Sequence, residues 1–285
     1  MAAAQSDREL IIQPTQGWRF LDWREFWAYR DLLSLLIWRD ISSRYKQTIL
    51  GPVWFIVQPI MTTIVFTVVF GRMAKISTDG VPPMLFYLNG LLAWGYFAQN
   101  FTSTSATLTN NISLFGKVYF PRLIVPISGI LSNLVPFLIQ LATFAVFYLW
   151  FKAQGLGGSF GLTMSAWLLP LTILQVAAIS LGVGLWVAAL TTRFRDFTIL
   201  AGFVLQLWLY ATPVIYPLTR VPAKWRLLVA LNPMTMPTEN LRQMLLGVGS
   251  GSWKLETISI VVSVFTLITG VLAFQRIEKN FVDVL

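Results

Sequence analysis

The densest group of ionisable side chains stands directly before the first long apolar stretch: Arg39, Asp40, Arg44 and Lys46. Asp40 and Arg44 have the four-residue spacing and acid-before-base order that favour an ion pair on a helix. The uncharged run that follows, 47–71, is long enough to cross a bilayer. This arrangement indicates that the charged side chains act through electrostatic contacts rather than in a chemical reaction. One interpretation is a positive flank that fixes the orientation of a span; the other is that the segment also docks a cytoplasmic partner.

The residue types that enzymes use are scarce. The chain has no Cys and no His, which removes thiol nucleophiles, imidazole bases and the commonest ligands of zinc and iron. None of its 12 Asp and Glu forms the close carboxylate pair of a glycosyl- or phosphoryl-transfer site. The phosphate-binding pattern G-x-x-x-x-G-K-[ST] is also absent. Uphill transport would therefore need energy from another polypeptide; a membrane-embedded glycosyltransferase and a structural scaffold are the alternatives from other classes.

The composition is that of an integral membrane protein. Hydrophobic residues make up 56% of the chain and charged residues 12%, which is more apolar surface than a soluble core can bury. The net charge of +9 comes from Lys and Arg that flank the apolar runs, so it indicates membrane topology and contact with anionic lipids, with no nucleic acid as partner. The whole chain, 1–285, is expected to form a single membrane domain.

Six uncharged runs of at least 19 residues predict an all-α fold with six transmembrane helices within 50–275. The uncharged runs also contain no ionisable group that could couple transport to proton or ion movement. The runs are 47–71, 80–116, 123–151, 153–192, 197–219 and 257–275.

The segment before the first span, 17–46, predicts an amphipathic interface helix on the cytoplasmic side. On a helix that begins near Asp22, one face carries Trp23, Phe26 and Trp27, and such a helix lies along the membrane surface. Arg30 intrudes on this face, although its aliphatic stem allows the charge to reach the headgroups. The opposite face carries Arg24, Glu25 and Asp31.

Two further segments interrupt the apolar pattern. The polar second half of 80–116 predicts a loop with a short helix that returns to the cytoplasm. The proline-rich segment 213–252 predicts two short re-entrant or interfacial helices on the outer side, because its apolar pieces cannot cross a bilayer. With both termini in the cytoplasm, 13 of the 21 Lys and Arg lie inside, which agrees with the positive-inside rule.

An ordered set of motifs resembles one family of proteins. The chain contains WRDISSRYKQTILGPVWFIVQP, NNISLFGKVYFPR, RFRD, ATPVIYP and LNPM in this order. Over about residues 20–280 it resembles the permease subunit of polysaccharide-exporting ABC transporters, which export lipid-linked O-antigen, capsule or teichoic acid across the inner membrane, as in lipopolysaccharide biosynthesis. A permease of an ABC exporter for another lipid or a drug is the nearest alternative.

The resemblance implies an assembly and a set of contact residues. It implies six spans, an interface helix, a coupling helix and re-entrant helices, in a permease homodimer with two copies of an ATPase subunit that binds ATP and Mg. This chain itself would hold no cofactor or metal. Leu114 and Phe115 would be the apolar anchors of the coupling helix, unless they only pack at the membrane surface. The implied ATPase-contact residues are Asn110, Asn111, Leu114, Phe115, Lys117, Arg193, Arg195 and Asp196.

Aromatic side chains are the candidates for the substrate channel. A channel for a long glycan must hold each sugar weakly, and an aromatic ring packs against the C–H face of a pyranose without a fixed set of hydrogen bonds. The regions near the pore in this family are the first and fifth spans. The alternative is a belt of aromatic residues at the membrane interface. The candidates are Phe55, Phe66, Phe70, Trp208, Tyr210 and Tyr216.

Overall fold

The computed structural model describes residues 23–45, 51–115, 120–155, 160–194 and 196–281, and these residues form helices and connecting turns. The N-terminal helices are α1 (Trp23–Ala28) and α2 (Arg30–Tyr45). The bundle follows with α3 (Trp54–Phe66), α4 (Pro83–Ser105), α5 (Thr107–Asn110), α6 (Ile112–Phe115), α7 (Ile124–Ser132), α8 (Leu134–Ala153), α9 (Leu169–Arg193) and α10 (Phe197–Ala211). The last helices are α11 (Ala223–Ala230), α12 (Thr235–Leu246) and α13 (Trp253–Phe281).

Helix α4 is the centre of the bundle. It begins with a proline at its first position, where the missing N–H has no intrahelical acceptor to lose. Its 23 residues extend about 34 Å at 1.5 Å per residue, which exceeds the thickness of a bilayer core. Most of its side chains are buried, because α4 contacts α3, α7, α8, α9, α10 and α12. These six helices therefore surround it.

Among the described residues, four helical segments are long and apolar enough to cross a membrane: Gly51–Met73, Ile124–Ala153, Met164–Arg193 and Trp253–Ile277. They match the first, third, fourth and sixth predicted runs. The second and fifth runs correspond to α4 and α10. Helix α4 is long enough but more polar, and α10 is apolar but has 15 residues. Lipid-facing helices must be apolar, whereas a helix enclosed by other helices can carry Asn89 and Asn100, both of which are fully buried.

The first candidate span, Gly51–Met73, changes its helical form near its C-terminal end. Pro59 lies inside α3, and after Phe66 the chain continues as a π-helix, Thr67–Met73. In a π-helix each backbone hydrogen bond reaches one residue further along the chain than in an α-helix, and such segments occur frequently at functional sites. Phe70, one of the candidate channel residues, lies in this π-helical segment.

The N-terminal segment differs from its prediction in two respects. A turn at Tyr29 separates α1 from α2, so Phe26 packs against the core while Trp27 is 65% exposed, and the predicted shared face is divided. The predicted pair of Asp40 with Arg44 is also wrong. Asp40 pairs with its neighbour Arg39 at 2.8 Å, and Arg44 bonds instead to Asn133 of the bundle. Residues 17–22 and 46 of the predicted interface segment lie outside the described residues.

The proline-rich segment folds into short helices at one end of the bundle. It contains a 3₁₀-helix at Leu218–Arg220, followed by α11 and α12. The hydroxyl of Thr219 donates to the Asp79 carboxylate at 2.7 Å, and Arg220 donates to the Ser77 hydroxyl at 3.1 Å. These contacts place the α3–α4 loop beside the proline-rich segment. Helix α4 then runs from this end to α5 and α6 at the other end.

Candidate coupling surface and translocation path

The predicted coupling helix is two short helical turns. Asn110 ends α5 and is exposed. Asn111 lies between α5 and α6, where its side-chain amide donates to the Thr107 carbonyl at 2.9 Å and so stabilises the chain reversal. Leu114 in α6 is half-buried. Lys117 lies outside the described residues. Among the described contact residues of this segment, Asn110 presents its side chain most openly.

Phe115 packs inside its own chain. It is only 9% exposed and belongs to a cluster with Leu108, Phe120 and residues of α2, α7, α9 and α13. The ring centroids of Phe115 and Phe120 are 5.8 Å apart, and the Arg122 guanidinium lies 5.5 Å from the Phe115 centroid. Phe115 therefore anchors α6 to the bundle and positions the exposed residues beside it.

The second predicted contact region is the turn between α9 and α10. Arg193 and Asp196 are both exposed, and Arg195 lies outside the described residues. The Arg193 guanidinium lies 5.5 Å from the Phe194 ring centroid. The backbone carbonyl of Asp196 accepts the N–H groups of Ile199 and Leu200 and begins α10. Because α5 contacts α9, this turn and the predicted coupling helix lie at the same end of the bundle.

The aromatic candidates of the first span pack mainly within the chain. Phe66 is 8% exposed, with its ring 5.2 Å from Phe70 and 6.1 Å from Tyr87, both edge-on. Such edge-to-face contacts add to the stabilisation from burial. Phe55 and Phe70 are half-buried. Phe66 is thus a core residue of one protomer, and Phe55 and Phe70 are the members of this group with accessible surface.

The aromatic candidates in α10 and just after it differ in exposure. Trp208 packs edge-on against Phe97 at 5.1 Å and donates to the Asn232 amide oxygen at 2.9 Å. Tyr210 is 56% exposed, whereas Tyr216 is half-buried and donates to the Ala211 carbonyl at 3.3 Å.

The two aromatic groups lie at different heights on α4. Phe66 packs against Tyr87 and Trp208 against Phe97, and these two α4 residues are ten positions apart, about 15 Å along the helix axis. Within one chain, Phe66 and Trp208 therefore lie about three turns of α4 apart.

The structure also contains a buried ion pair that the sequence reasoning missed. Glu239 and Arg242 of α12 form an ion pair with side chains 1% and 0% exposed. Arg242 lies in the proline-rich segment 213–252, and for this residue the sequence predicts only a position on the outer side. The sequence does contain a pattern that indicates this ion pair. In TMPTENLRQMLL an acid and a base are three residues apart, and this spacing places both side chains on one face of a helix.

The ion pair also makes hydrogen bonds to three separate positions of the proline-rich segment, and it packs against the bundle. Arg242 donates to the Pro213 carbonyl at 2.7 Å and lies 3.9 Å from the ring centroid of Phe86 in α4. The Glu239 carboxylate accepts the N–H groups of Leu218 at 3.2 Å and Ser250 at 3.3 Å. Burial lowers the pKa of Arg242, and the Glu239 carboxylate opposes that shift. The pair thereby fixes the chain before and after α12 relative to α4.

The sequence of this chain is similar to one protein family and to several individual proteins. A family model described as "ABC-2 type transporter" matches residues 31–246. The chain is 24% identical to an O-antigen export system permease protein from Klebsiella pneumoniae, over 90% of this chain and 95% of that protein. It is 30% identical to an O-antigen export system permease protein from Myxococcus xanthus, over 74% and 78%. It is 23% identical to a polysialic acid transport protein from Escherichia coli, over 83% and 88%.

Proposed function

The chain belongs to the ABC-2 type transporter family, and we propose that it is the membrane subunit of an ATP-driven exporter that moves a lipid-linked polysaccharide across the inner membrane. The observation that carries this proposal is the likeness, over about nine-tenths of the chain, to a permease for O-antigen export. The chain is a transporter subunit rather than an enzyme, and the energy comes from a separate ATPase subunit.

The proposed membrane arrangement has six spans with both termini in the cytoplasm. Helices α4 and α10 are the two further spans of this arrangement, in addition to the four apolar candidate spans. Support for α4 comes from its length of 23 residues and its position inside the bundle. The proline-rich segment then lies outside and carries α11 and α12 as short re-entrant or interfacial helices. Helices α1 and α2 form the cytoplasmic interface segment.

The proposed exporter contains two copies of this chain and two ATPase subunits, with ATP and magnesium bound on the ATPase. The exposed apolar surface of the first and fifth spans supports a permease dimer. Every residue of α10 is at least partly exposed, including Ile199 at 79% and Phe203 at 57%, and Met61 and Val65 of α3 are 56% and 55% exposed. Such a surface is typical of a contact with another helix or with lipid.

The proposed translocation path lies between the two permease copies. Because the rings near Phe66 and near Trp208 are at different heights within one chain, a path between the copies would bring the accessible candidates of both together. The exposed ring of Tyr210 and the half-buried rings of Phe55, Phe70 and Tyr216 would contact the sugars. Asn110 and the turn at Arg193 and Asp196 would contact the ATPase at the cytoplasmic end.

Deletion of this chain in its host, followed by measurement of surface glycan, tests the function. We expect surface glycan to disappear and lipid-linked glycan to accumulate at the cytoplasmic face, with recovery when the chain is supplied together with an active ATPase. Recovery should fail when the ATPase partner cannot hydrolyse ATP. Normal surface glycan in the deletion strain would contradict the proposed function.

A further inference from the structure

A polar cavity of about 250 Å³ lies between α2 and the bundle. The last turns of α2 form one wall with Arg39, Asp40, Ser43 and Arg44. The segment around the end of α5 forms the facing wall, which includes Asn110 and Asn111. The cavity therefore adjoins the proposed ATPase contact and shares Asn110 with it.

The inner face of α2 changes character along its length. Leu36 is 2% exposed and packs in the apolar cluster with Phe115. One turn later the same face presents Asp40, and a further turn later Ser43 and Arg44, since residues three and four apart share a helix face. The cavity begins where this face becomes polar.

Arg44 is held in place without being neutralised. Its Nη1 donates to the side-chain oxygen of Asn133 at 2.6 Å, and the Asn133 amide donates to the Asn100 side-chain oxygen at 2.8 Å. Both asparagines are fully buried, so the guanidinium is anchored by a rigid neutral group. The nearby carboxylate of Asp40 is already engaged by Arg39.

A half-buried cation favours an anion. Among the described residues, no carboxylate lies within ion-pair distance of Arg44, and its Nε and Nη2 have no hydrogen-bond partner there. A desolvated charge is costly unless an opposite charge and hydrogen bonds compensate it. The planar guanidinium donates two parallel hydrogen bonds that match a phosphate well. The cavity is thus built to receive a phosphate.

The outer surface of α2 indicates the depth of the cavity in the membrane. Leu35 is 63% exposed and Trp38 is 71% exposed, on a helix whose other side packs on α7. Tryptophan is enriched where the membrane meets water, and an apolar face of this kind enters the headgroup region. This places Arg44 near the level at which lipid phosphates lie.

We propose that this cavity binds the phosphate of a membrane lipid at the cytoplasmic surface, with Arg44 as its main ligand. The proposal rests on the proposed function: for an exporter of lipid-linked glycan, the ligand is the phosphate that joins the glycan to its lipid carrier. An anionic phospholipid of the bilayer presents the same chemistry. The side chains of Asn110 and Asn111 line the opposite wall and close the site.

Lipid binding to the purified permease–ATPase complex in phosphatidylcholine nanodiscs tests the proposal. The probes are a labelled polyprenyl diphosphate and labelled phosphatidylglycerol, with inorganic pyrophosphate as competitor. Arg44→Gln should weaken binding of the probe lipid about tenfold, because it removes charge-assisted hydrogen bonds. Arg30→Gln is the matched control, since Arg30 lies on the same helix with a side chain 63% exposed and away from the cavity.

A second variant separates charge from folding. Asn133→Asp keeps Arg44 but places a carboxylate against it, which neutralises the guanidinium where it stands. Asn100 can adapt, because its buried side-chain nitrogen has no hydrogen-bond partner among the described residues and can turn toward the new carboxylate. We expect this variant to lose lipid binding about as much as Arg44→Gln while the complex stays assembled.

Each outcome has a distinct meaning. Weakened binding of the polyprenyl diphosphate supports the proposal with the carrier lipid as ligand, and weakened binding of phosphatidylglycerol alone supports it with a phospholipid as ligand. Unchanged binding of both lipids to Arg44→Gln overturns it. Loss of the ATPase subunit with normal lipid binding also overturns it, because Arg44 would then pair with a carboxylate of the ATPase. A complex that binds polyprenyl diphosphate but exports no glycan would contradict only the proposed function.

Discussion

Gly182 of α9 and Gly270 of α13 face each other so closely that neither helix has room for a side chain at that point. A Cβ atom on Gly182 would lie 2.6 Å from the carbonyl oxygen of Thr266 and 2.7 Å from the backbone nitrogen of Leu267. One turn of backbone thus packs directly on another, as small residues permit between membrane helices. This contact fixes α13 against α9.

Gly182→Ala should therefore lower the stability of the protein, because the methyl group meets backbone atoms that cannot rotate away. Overpacking of this kind costs about 1–3 kcal/mol. Gly202→Ala is the matched control, since no atom lies within 4 Å of a Cβ added there. The unfolding temperature of the detergent-solubilised protein is the measurement. Equal unfolding temperatures for the two variants would contradict the close contact of α9 with α13.

The ion pair of Glu239 with Arg242 predicts strong coupling between two substitutions. Glu239→Leu or Arg242→Met alone leaves one buried charge without its partner, which costs about 3–5 kcal/mol. The double variant removes both charges and should lose clearly less stability than the sum of the two single losses. Thermal unfolding of the three variants measures this difference. Additive losses would mean that the two side chains stabilise the segment independently.

The membrane orientation is tested with single cysteines, since the chain has no native cysteine. In intact spheroplasts, an impermeant thiol reagent should label Lys75→Cys and Lys224→Cys, both exposed at the end of the bundle that carries the proline-rich segment. Asn110→Cys and Thr198→Cys, exposed near the other end, should react only after permeabilisation. Labelling of Asn110→Cys from outside would contradict the proposed coupling site.

The coupling surface is tested most cleanly at Asn110. Asn110→Arg should lower assembly with the ATPase severalfold and leave folding unchanged, because this side chain is exposed. Phe115→Ser should instead destabilise the permease, since a buried ring is lost and a hydroxyl is introduced beside Phe120. Co-purification of the ATPase and thermal unfolding distinguish the two effects. Normal assembly of the Asn110 variant would exclude this residue from the contact.

The aromatic path predicts different results for buried and exposed rings. Phe66→Ala should cost about 3–5 kcal/mol of stability, because it opens a cavity next to Tyr87. Tyr210→Ala should slow export severalfold without loss of stability, since Tyr210 is 56% exposed. The measurement is surface glycan formed per unit time. Tyr210→Phe, which keeps the ring, and Trp167→Ala, at a ring 76% exposed elsewhere, should export normally. Normal export by Tyr210→Ala would remove this ring from the path.

The sequence predicted the apolar spans well because hydropathy depends on local composition. The run at 153–192 corresponds to the span Met164–Arg193, and the short polar turn before Phe197 lies where α9 ends and α10 begins. The uncharged run 80–116 also predicted the long helix α4, although the polar residues of α4 make it less apolar than the four candidate spans. These features need no knowledge of distant contacts.

The sites depend on contacts that no local pattern contains. Arg44 and Asn133 are 89 positions apart, and only the fold brings the end of α2 against the junction of α7 and α8. The favourable spacing of Asp40 and Arg44 predicted a pair that the bundle overrides. Glu239 and Arg242 had a suggestive spacing, but their burial depends on Phe86, Pro213 and Leu218 from elsewhere in the chain.

The enclosed position of α4 also constrains how the protein is made. Asn89 and Asn100 have no water in a bilayer core and lose hydrogen bonds there, so α4 alone is a poor substrate for insertion by the translocon. Its protein surroundings include α9, which is synthesised more than 60 residues later. During synthesis α4 must therefore be retained beside the translocon or beside α3 until its later neighbours emerge, and the order of biogenesis follows from the helix at the centre of the bundle.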